Sequence, residues 1–247
     1  MTEVHDLSEP TPRRLAVWNI LLDARYPQAE RLESLTETLQ ATGEFDMVGI
    51  LEAQYQNGQY LARQLSGTEG VWYEHSRKKR GERIGVFGPD IHDIEPVELG
   101  YSKVAVVARL GEVAVATVHL RRQPTRFPPT PEQVEQITAL LDYLSSEEKA
   151  IIMGDFNSLW FQKTRRSIKA VGYESAFHQI GKRRKGTLQA NDNFSEMYSR
   201  RERLMLALAG GAINLDDIYT KGVNVTGADY FDGVSDHKGV WVEYEED

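Results

Sequence analysis

The sequence predicts an α+β layered sandwich, and three observations point to it. Strand-like and helix-like segments alternate along the chain, so both kinds of element contribute to the core. Many neighbouring strand segments look like hairpins rather than crossovers, which disfavours an all-parallel sheet. No glycine-rich phosphate loop follows the first strand, which counts against a nucleotide-binding fold.

Taken in order, "RLAVWNILL" (14–22) reads as the first strand. "YPQAERLESLTETLQATG" (26–43) follows as a helix, with Pro27 near its start, Leu32, Leu35 and Leu39 on one face, and Gly43 at its end. "DMVGIL" (46–51) is a second apolar strand that stops at Glu52, and "YQNGQYLARQLSG" (55–67) is a helix carrying Gly58 in its interior. "VWYEH", "RIGVFG", "KVAVVARL" and "EVAVATVHL" are β-branched or alternating strands, the last two joined by a tight hairpin at Leu110-Gly111. In "TPEQVEQITALLDYL" (130–144), Thr130 can cap a helix, Pro131 suits its first turn and Gln133 completes a capping-box pattern. Val134, Ile137, Leu140, Leu141 and Leu144 form the buried stripe of that helix. "KAIIMGD" (149–155) is a strand, helices are expected over 160–172 and 200–209, and "INLDDIYT" (213–220) and "GVWVEYE" (239–245) close as strands. Residues 1–12 read as a flexible tail with two prolines.

The bulk properties narrow the function classes. A chain of 247 residues with 40% hydrophobic and 27% charged residues is ordinary for a soluble globular protein. The polar start "MTEVHDLSEPTPRR" is no secretory signal, and no apolar run approaches the roughly 18 residues of a membrane span. With no cysteine, disulfides, thiolate–zinc sites and cysteine nucleophiles are excluded, and a cytoplasmic location is expected. The net charge of −8 argues against a nucleic-acid footprint over the whole surface. Basic clusters nevertheless occur in "SRKKRGER" (76–83), "RRQPTR" (121–126), "KTRRSIK" (163–169), "GKRRKG" (181–186) and "SRRER" (199–203). Each alone reads as a solvated loop; several on one rim would attract a polyanion.

Polar groups recur where apolar strands stop. Asn19 lies inside "VWNIL", Glu52 ends "GILE" and His119 ends "VATVHL". Asp155 and Asn157 follow "IIMG", Asp216 sits in "INLDD", and Asp236-His237 precede "KGVWV". Any one of them alone reads as a turn former or a satisfied polar group; together they make a set suited to phosphodiester hydrolysis. A hard divalent cation takes carboxylate and amide oxygens, with Mg²⁺ (or Mn²⁺) the natural choice, Glu52 the first ligand and Asn19 and Asp236 further candidates. Asp155 is the candidate base for a water attacking phosphorus in line, with Asn157 holding that water or a phosphate oxygen. His119 and His237 can donate to the phosphoryl oxygens, on which negative charge grows in the transition state. Asp236 could instead orient a protonated histidine. Successive strand residues point to opposite faces, so Asp236 and His237 should lie in the loop before the last strand.

These segments resemble the endonuclease/exonuclease/phosphatase superfamily from about residue 14 to 245. "WNIL" is similar to its first motif, "FDMVGILEAQ" to its metal-glutamate segment with Leu51 in place of the usual glutamine, and "VATVHL" to its histidine strand. "IIMGDFN", "NLDDIYT" and "SDHKGV" resemble its most recognisable, late-aspartate and terminal motifs, with Asp216 rather than Asp217 in the aspartate's place. "GYESAFHQIGKRRKGTLQA" (172–190) resembles the segment leading to a Thr-Phe-Pro-like turn, here with Leu188-Gln189. The resemblance implies a four-layer sandwich of two mixed β-sheets packed face to face, with helices on the outer faces. It implies one catalytic domain over 13–247, dependence on Mg²⁺ or Mn²⁺, and the residue roles given above, Asp216 joining the catalytic set.

Within the family, the absence of Cys and Arg beside "INLDDIYT" disfavours inositol-polyphosphate phosphatases, and Leu21 departs from the acidic residue usual in abasic-site endonucleases. The chain looks nearer to the tyrosyl-DNA phosphodiesterase-like and deadenylase-like branches. The leading expectation is thus a phosphodiesterase acting on nucleic acid, with Trp160 the better stacking candidate than Trp18 or Trp72, and Phe194 another. A small phosphate ester or phospholipid substrate is the alternative, and the acidic net charge leans toward it. A non-catalytic binding module would be expected to have lost some of these side chains. No protein partner is indicated.

Overall fold

A computed structural model of the chain describes residues 11–21, 28–74, 83–121, 131–159, 162–188 and 213–246. The first half supplies β1 (Arg13–Asn19), α1 (Gln28–Thr42), β2 (Met47–Ala53), α2 (Tyr55–Ser66), β3 (Val71–Glu74), β4 (Arg83–Phe87), β5 (Ile91–Gly100), β6 (Lys103–Leu110) and β7 (Val113–His119). The second half supplies α3 (Pro131–Tyr143), β8 (Ala150–Asp155), α4 (Lys163–Ala170), the short β9 (Glu174–Ser175) and α5 (Ala176–Gln179), then β10 (Asp216–Lys221), β11 (Asn224–Phe231) and β12 (Gly239–Glu245).

The strands form two six-stranded sheets, ordered β11-β12-β1-β2-β4-β3 and β5-β6-β7-β8-β10-β9. Each sheet contains one parallel pair, β1–β2 and β7–β8, and every other pairing is antiparallel. A parallel pair needs a long crossover, and α1 and α3 lie in those two connections. The architecture is the α+β sandwich of two mixed sheets expected from the sequence.

Period-two alternation builds the layers. Leu15 and Val17 of β1, with Met47 and Leu51 of β2, meet Val106, Val115, Met153 and Ile218 of the other sheet in the central core. The intervening Ala16, Trp18, Val48 and Ile50 face outward onto Leu32, Leu35 and Leu39 of α1 and Leu61 of α2. Ala105, Ala116 and Ile152 of the second sheet cover Ile137 and Leu140 of α3 and Leu144 beyond it. Strands buried on both faces read as continuous apolar runs, which is why β1, β2, β7 and β8 stand out in the sequence.

The helical stripes are buried as expected, except that Val134 and Leu141 are half-buried and Leu144 falls in a single 3₁₀ turn after α3. Gly58 sits inside α2 because a Cβ there would lie 2.5 Å from the Trp72 ring. The hairpin at Leu110-Gly111 forms with Leu110 paired to Val113. The first strand ends at Asn19, three residues before the expected end, and the helix expected over 160–172 is α4. Thr130 and the helix expected over 200–209 lie outside the described residues, as do Trp160 and Phe194. Trp18 and Trp72 are core residues, Trp18 meeting Phe231 edge-on at 5.1 Å.

Three strands were not expected from the sequence, β5, β11 and the two-residue β9, and all three are sheet edges. β5 carries Pro96 and exposed acidic residues, while β11 carries Gly227 beside a register shift. Edge strands bury little on one side and tolerate proline and bulges, so their apolar pattern is weak.

Gly154 explains one position of the "GDFN" run. Its φ is +146°, and a Cβ would lie 1.9 Å from the Val118 carbonyl oxygen of the neighbouring strand. Gly154→Ala should therefore destabilise the protein by about 3 kcal/mol or more, read as a lowered midpoint in denaturant unfolding.

Candidate active site

The two parallel pairs end side by side. Asn19 is the last residue of β1, Glu52 lies at the end of β2, His119 ends β7 and Asp155 ends β8. The carboxyl ends of parallel strands are where a sheet presents groups to a ligand. Asp155 is paired in register with His119 on one side and with Asp216, the first residue of β10, on the other. Residues directly opposite across a sheet share a face, so the three side chains project together.

Asp155 is the hub. Its Oδ1 accepts from the Asn157 backbone N–H at 2.7 Å, and its Oδ2 accepts from Asn19 Nδ2 at 3.3 Å and Asn157 Nδ2 at 3.2 Å. Asn19 Nδ2 also reaches Glu52 Oε1 at 3.2 Å, so one amide joins the two carboxylates. His119 Nε2 stands 3.5 Å from Glu52 Oε1 and 3.7 Å from Asp155 Oδ2. Asn157 spends its amide hydrogens on Asp155 and the Leu120 carbonyl, so it holds the Asp155 carboxylate in place and its amide nitrogen does not reach outward. The Asp-x-Asn spacing is thus an Asx turn closing the strand and a support for the carboxylate at once.

The other wall is a His–Asp dyad. His237 Nδ1 lies 2.8 Å from Asp216 Oδ2, and its Nε2 points toward Asp155 Oδ2 at 4.0 Å. Burial pulls the His237 pKa down, but Asp216, Asp236, the Nδ1 hydrogen bond and Asp155 outweigh it and push it up to about 10. Asp236 and His237 lie ahead of β12, outside its regular pairing. Ser235, unremarked in the sequence, ties this loop to the first sheet: its Oγ donates to the Asn19 carbonyl at 2.6 Å and lies 3.4 Å from Asp236 Oδ1. The His237 carbonyl accepts from Trp18 Nε1 at 2.9 Å.

Strain concentrates here. Leu21, Glu52 and Asn157 have φ of +41°, +57° and +47°. Asparagine tolerates that region; leucine and glutamate do not, and such outliers persist where surrounding packing over-determines them. At Glu52 the left-handed residue coincides with a register shift between Ile50 and Ala53, which turns the carboxylate toward Asn19 and His119.

Several supporting residues carry no sequence signal for this part; in the sequence Gln133 reads as the end of a capping box. Gln133 of α3 is fully buried and its Nε2 donates to the Asn157 carbonyl at 3.0 Å and the Arg121 carbonyl at 2.7 Å. Thr187 Oγ1 accepts from the N–H groups of Leu215 and Asp216. Asp217 faces the opposite side of β10 from Asp216, where Arg165 and Arg184 lie 2.9 and 3.0 Å from its Oδ2. Burial opposes the charge on Arg165, and Tyr219, Asp217 and Asp216 more than restore it, raising its pKa above the ordinary arginine value.

Asp155, Asp216 and His237 offer atoms within 4.8 Å of one another, a spacing that could hold a metal. With Nδ1 engaged by Asp216 and the ring held protonated, His237 is a poor ligand, and the trio is better described as a carboxylate–imidazolium cluster. The oxygen-rich side, Glu52 and Asp155, fits a hard cation. Asn19 turns its N–H₂ toward both carboxylates, which suits a supporting part.

A model described as the Endonuclease/Exonuclease/phosphatase family matches residues 16–237. No curated protein sequence matches the chain. Among solved structures, a functionally unknown conserved protein from Enterococcus faecalis V583 is 15% identical, with a TM-score of 0.70 over 95% of this chain and 100% of that one. D. rerio TDP2 complexed with single strand DNA product is 17% identical, with a TM-score of 0.68 over 95% of this chain and 99% of that one. The mannosyl-6-phosphatase Bt3783 of Bacteroides thetaiotaomicron VPI-5482 is 14% identical, with a TM-score of 0.67 over 94% and 99%. At such identities these likenesses speak for the fold, whereas the family match spans most of the chain: this protein belongs to the endonuclease/exonuclease/phosphatase family of phosphoester hydrolases.

Proposed function

We propose that the protein hydrolyses phosphodiester bonds with the aid of Mg²⁺ or Mn²⁺, most directly at the end of a nucleic acid. The observation that carries this reading is the meeting of Glu52, Asp155, Asn19 and His119 at the ends of the two parallel pairs, facing the Asp216–His237 dyad. Glu52 and Asp155 would hold the cation, with Asp236 as a further candidate and Asn19 keeping the two carboxylates in register. When bound, the cation supplies Lewis-acid stabilisation of the phosphoryl oxygens. Asp155 takes the proton of the attacking water, and Asn157 fixes its orientation. His237, kept cationic by Asp216, donates to the phosphoryl oxygens, as does His119. Residues 13–247 would form one catalytic domain, in a chain whose lack of cysteine fits the cytoplasm. Among the described residues no helix is long and apolar enough to cross a membrane.

A nucleic-acid substrate fits the similarity to TDP2, which was seen with a single strand DNA product. The second reading, a small phosphate ester, gains from the fate of the basic clusters. In "GKRRKG" (181–186), Arg184 pairs with Asp217, while Lys182 and Lys185 lie near Asp229. In "KTRRSIK" (163–169), Arg165 is buried against Asp217. Two cations that looked available to a backbone, Arg165 and Arg184, are engaged internally, whereas the Lys182 and Lys185 pairs with Asp229 are exposed. Lys163, Arg166, Lys169 and Arg183 remain exposed.

The deciding experiment measures hydrolysis of labelled single- and double-stranded DNA and RNA, a 5′-tyrosyl oligonucleotide, a small phosphodiester and a sugar phosphate, with Mg²⁺, Mn²⁺ or chelator. Oligonucleotide turnover that falls steeply with salt supports the first reading; salt-insensitive turnover of the small esters alone supports the second. Metal-independent activity, or none with any substrate, overturns both. Glu52→Gln should weaken Mg²⁺ binding roughly tenfold or more in isothermal titration calorimetry.

A further inference from the structure

We propose that Arg165 is a positioning residue for the Asp216–His237 dyad. This rests on the reading above for its kinetic consequence, but not for its geometry. Arg165 comes from α4 on the outer side of the second sheet and is wholly buried. Among the described residues its guanidinium makes four hydrogen bonds to the short stretch that carries Asp216, and it also interacts with Tyr219 of the same strand. Nη1 donates to Asn214 Oδ1 at 3.0 Å and Asp217 Oδ2 at 2.9 Å; Nη2 donates to the Asn214 carbonyl at 3.1 Å and the Leu215 carbonyl at 2.6 Å. Asp216 therefore sits between two residues held by one rigid fork. Because the strand alternates, fixing Asp217 on the far face also fixes the direction in which Asp216 leaves the near face, where it meets His237 Nδ1 at 2.8 Å.

The geometry points to more than packing. Arg184 shares the Asp217 carboxylate at 3.0 Å, so the far face holds two cations against one anion, directly behind a cluster of carboxylates. Two separate segments thus anchor the far face of the strand that carries Asp216. Arginine is required for shape as well as charge. A lysine is a point donor on a flexible stem and cannot span four acceptors in two directions.

The test is Arg165→Lys, compared in the wild-type and Asp216→Asn backgrounds. Kinetics use bis(4-nitrophenyl) phosphate with Mg²⁺. The dyad itself is read from the downfield Nδ1 proton resonance of His237, assigned by its loss in His237→Gln. The expected result is a kcat lowered roughly ten- to hundredfold with KM within about twofold, and a shifted or broadened downfield proton. The kcat loss should vanish in the Asp216→Asn background, because the two residues act as one unit. Should Arg165→Lys fail to fold, Asn214→Ser removes one of the four acceptors and should move kcat and the proton in the same direction by less. An equal loss in both backgrounds, or an unmoved proton with unchanged kcat, overturns the proposal. If the wild-type protein turns over no phosphodiester, the proposed activity fails on its own, and the proton resonance still decides the part played by Arg165.

Discussion

Asp155→Asn will lower kcat for phosphodiester hydrolysis by about three orders of magnitude while the protein stays folded. Asp155 touches both halves of the site: it accepts from Asn19 at the end of the first sheet's parallel pair and faces His119 and His237 on the other side. The amide cannot take a proton from water and carries no charge for a cation, so both proposed parts are lost together. The isosteric change leaves the Asn157 backbone N–H with an oxygen acceptor, so the turn after β8 should survive. Removing one negative charge from a crowd of buried carboxylates should also leave the metal-free protein as stable as the wild type, or more so, because active sites hold repulsion that folding would otherwise avoid. The measurement is hydrolysis under single-turnover conditions alongside urea unfolding in chelator. A kcat within tenfold of wild type would remove Asp155 from the base role.

In chelator, the protein should lose stability on going from pH 7 to pH 10, by an amount on the order of 4 kcal/mol from His237 alone. The His237 pKa in the folded chain stands at about 10, raised above its ordinary value of 6.5. A group whose pKa is raised by folding stabilises fully below its unfolded pKa, and that contribution is lost as pH rises through the folded value. The window is therefore about pH 6.5 to 10. Tyr143, held up at about 12 by its hydrogen bond to Glu95, and Tyr173, raised to about 12 by burial, release their protons above it. Denaturant midpoints across the range should show the decline in the wild type and a flatter profile in Asp216→Asn, whose imidazole has lost its nearest carboxylate. A flat wild-type profile would mean that His237 is neutral in the folded protein.

Much of this arrangement is legible in the sequence. The strands of the two parallel pairs are buried on both faces and so read as unbroken apolar runs, and a polar residue at the end of each run is visible against that background. The family resemblance put Asp216 rather than Asp217 in the late aspartate's place, and the two residues face opposite sides of β10. What was not legible has a common cause. β5 and β11 are edges, whose half-exposed faces relax the pattern. The basic clusters looked like a surface because sequence cannot show where a charge finds its partner; Arg184 and Arg165 reach Asp217 from separate segments.

The sequence by itself determined the α+β class, the family resemblance and the identities of the polar groups at the strand ends, because each depends on local periodicity and short motifs. Only the tertiary structure decided which of those groups meet, that Asn157 supports Asp155, that Ser235 and Gln133 brace the site, and that Arg165 grips the strand behind Asp216. Those contacts join residues far apart in the chain, and their geometry is set by the packing of two sheets, which local patterns do not encode.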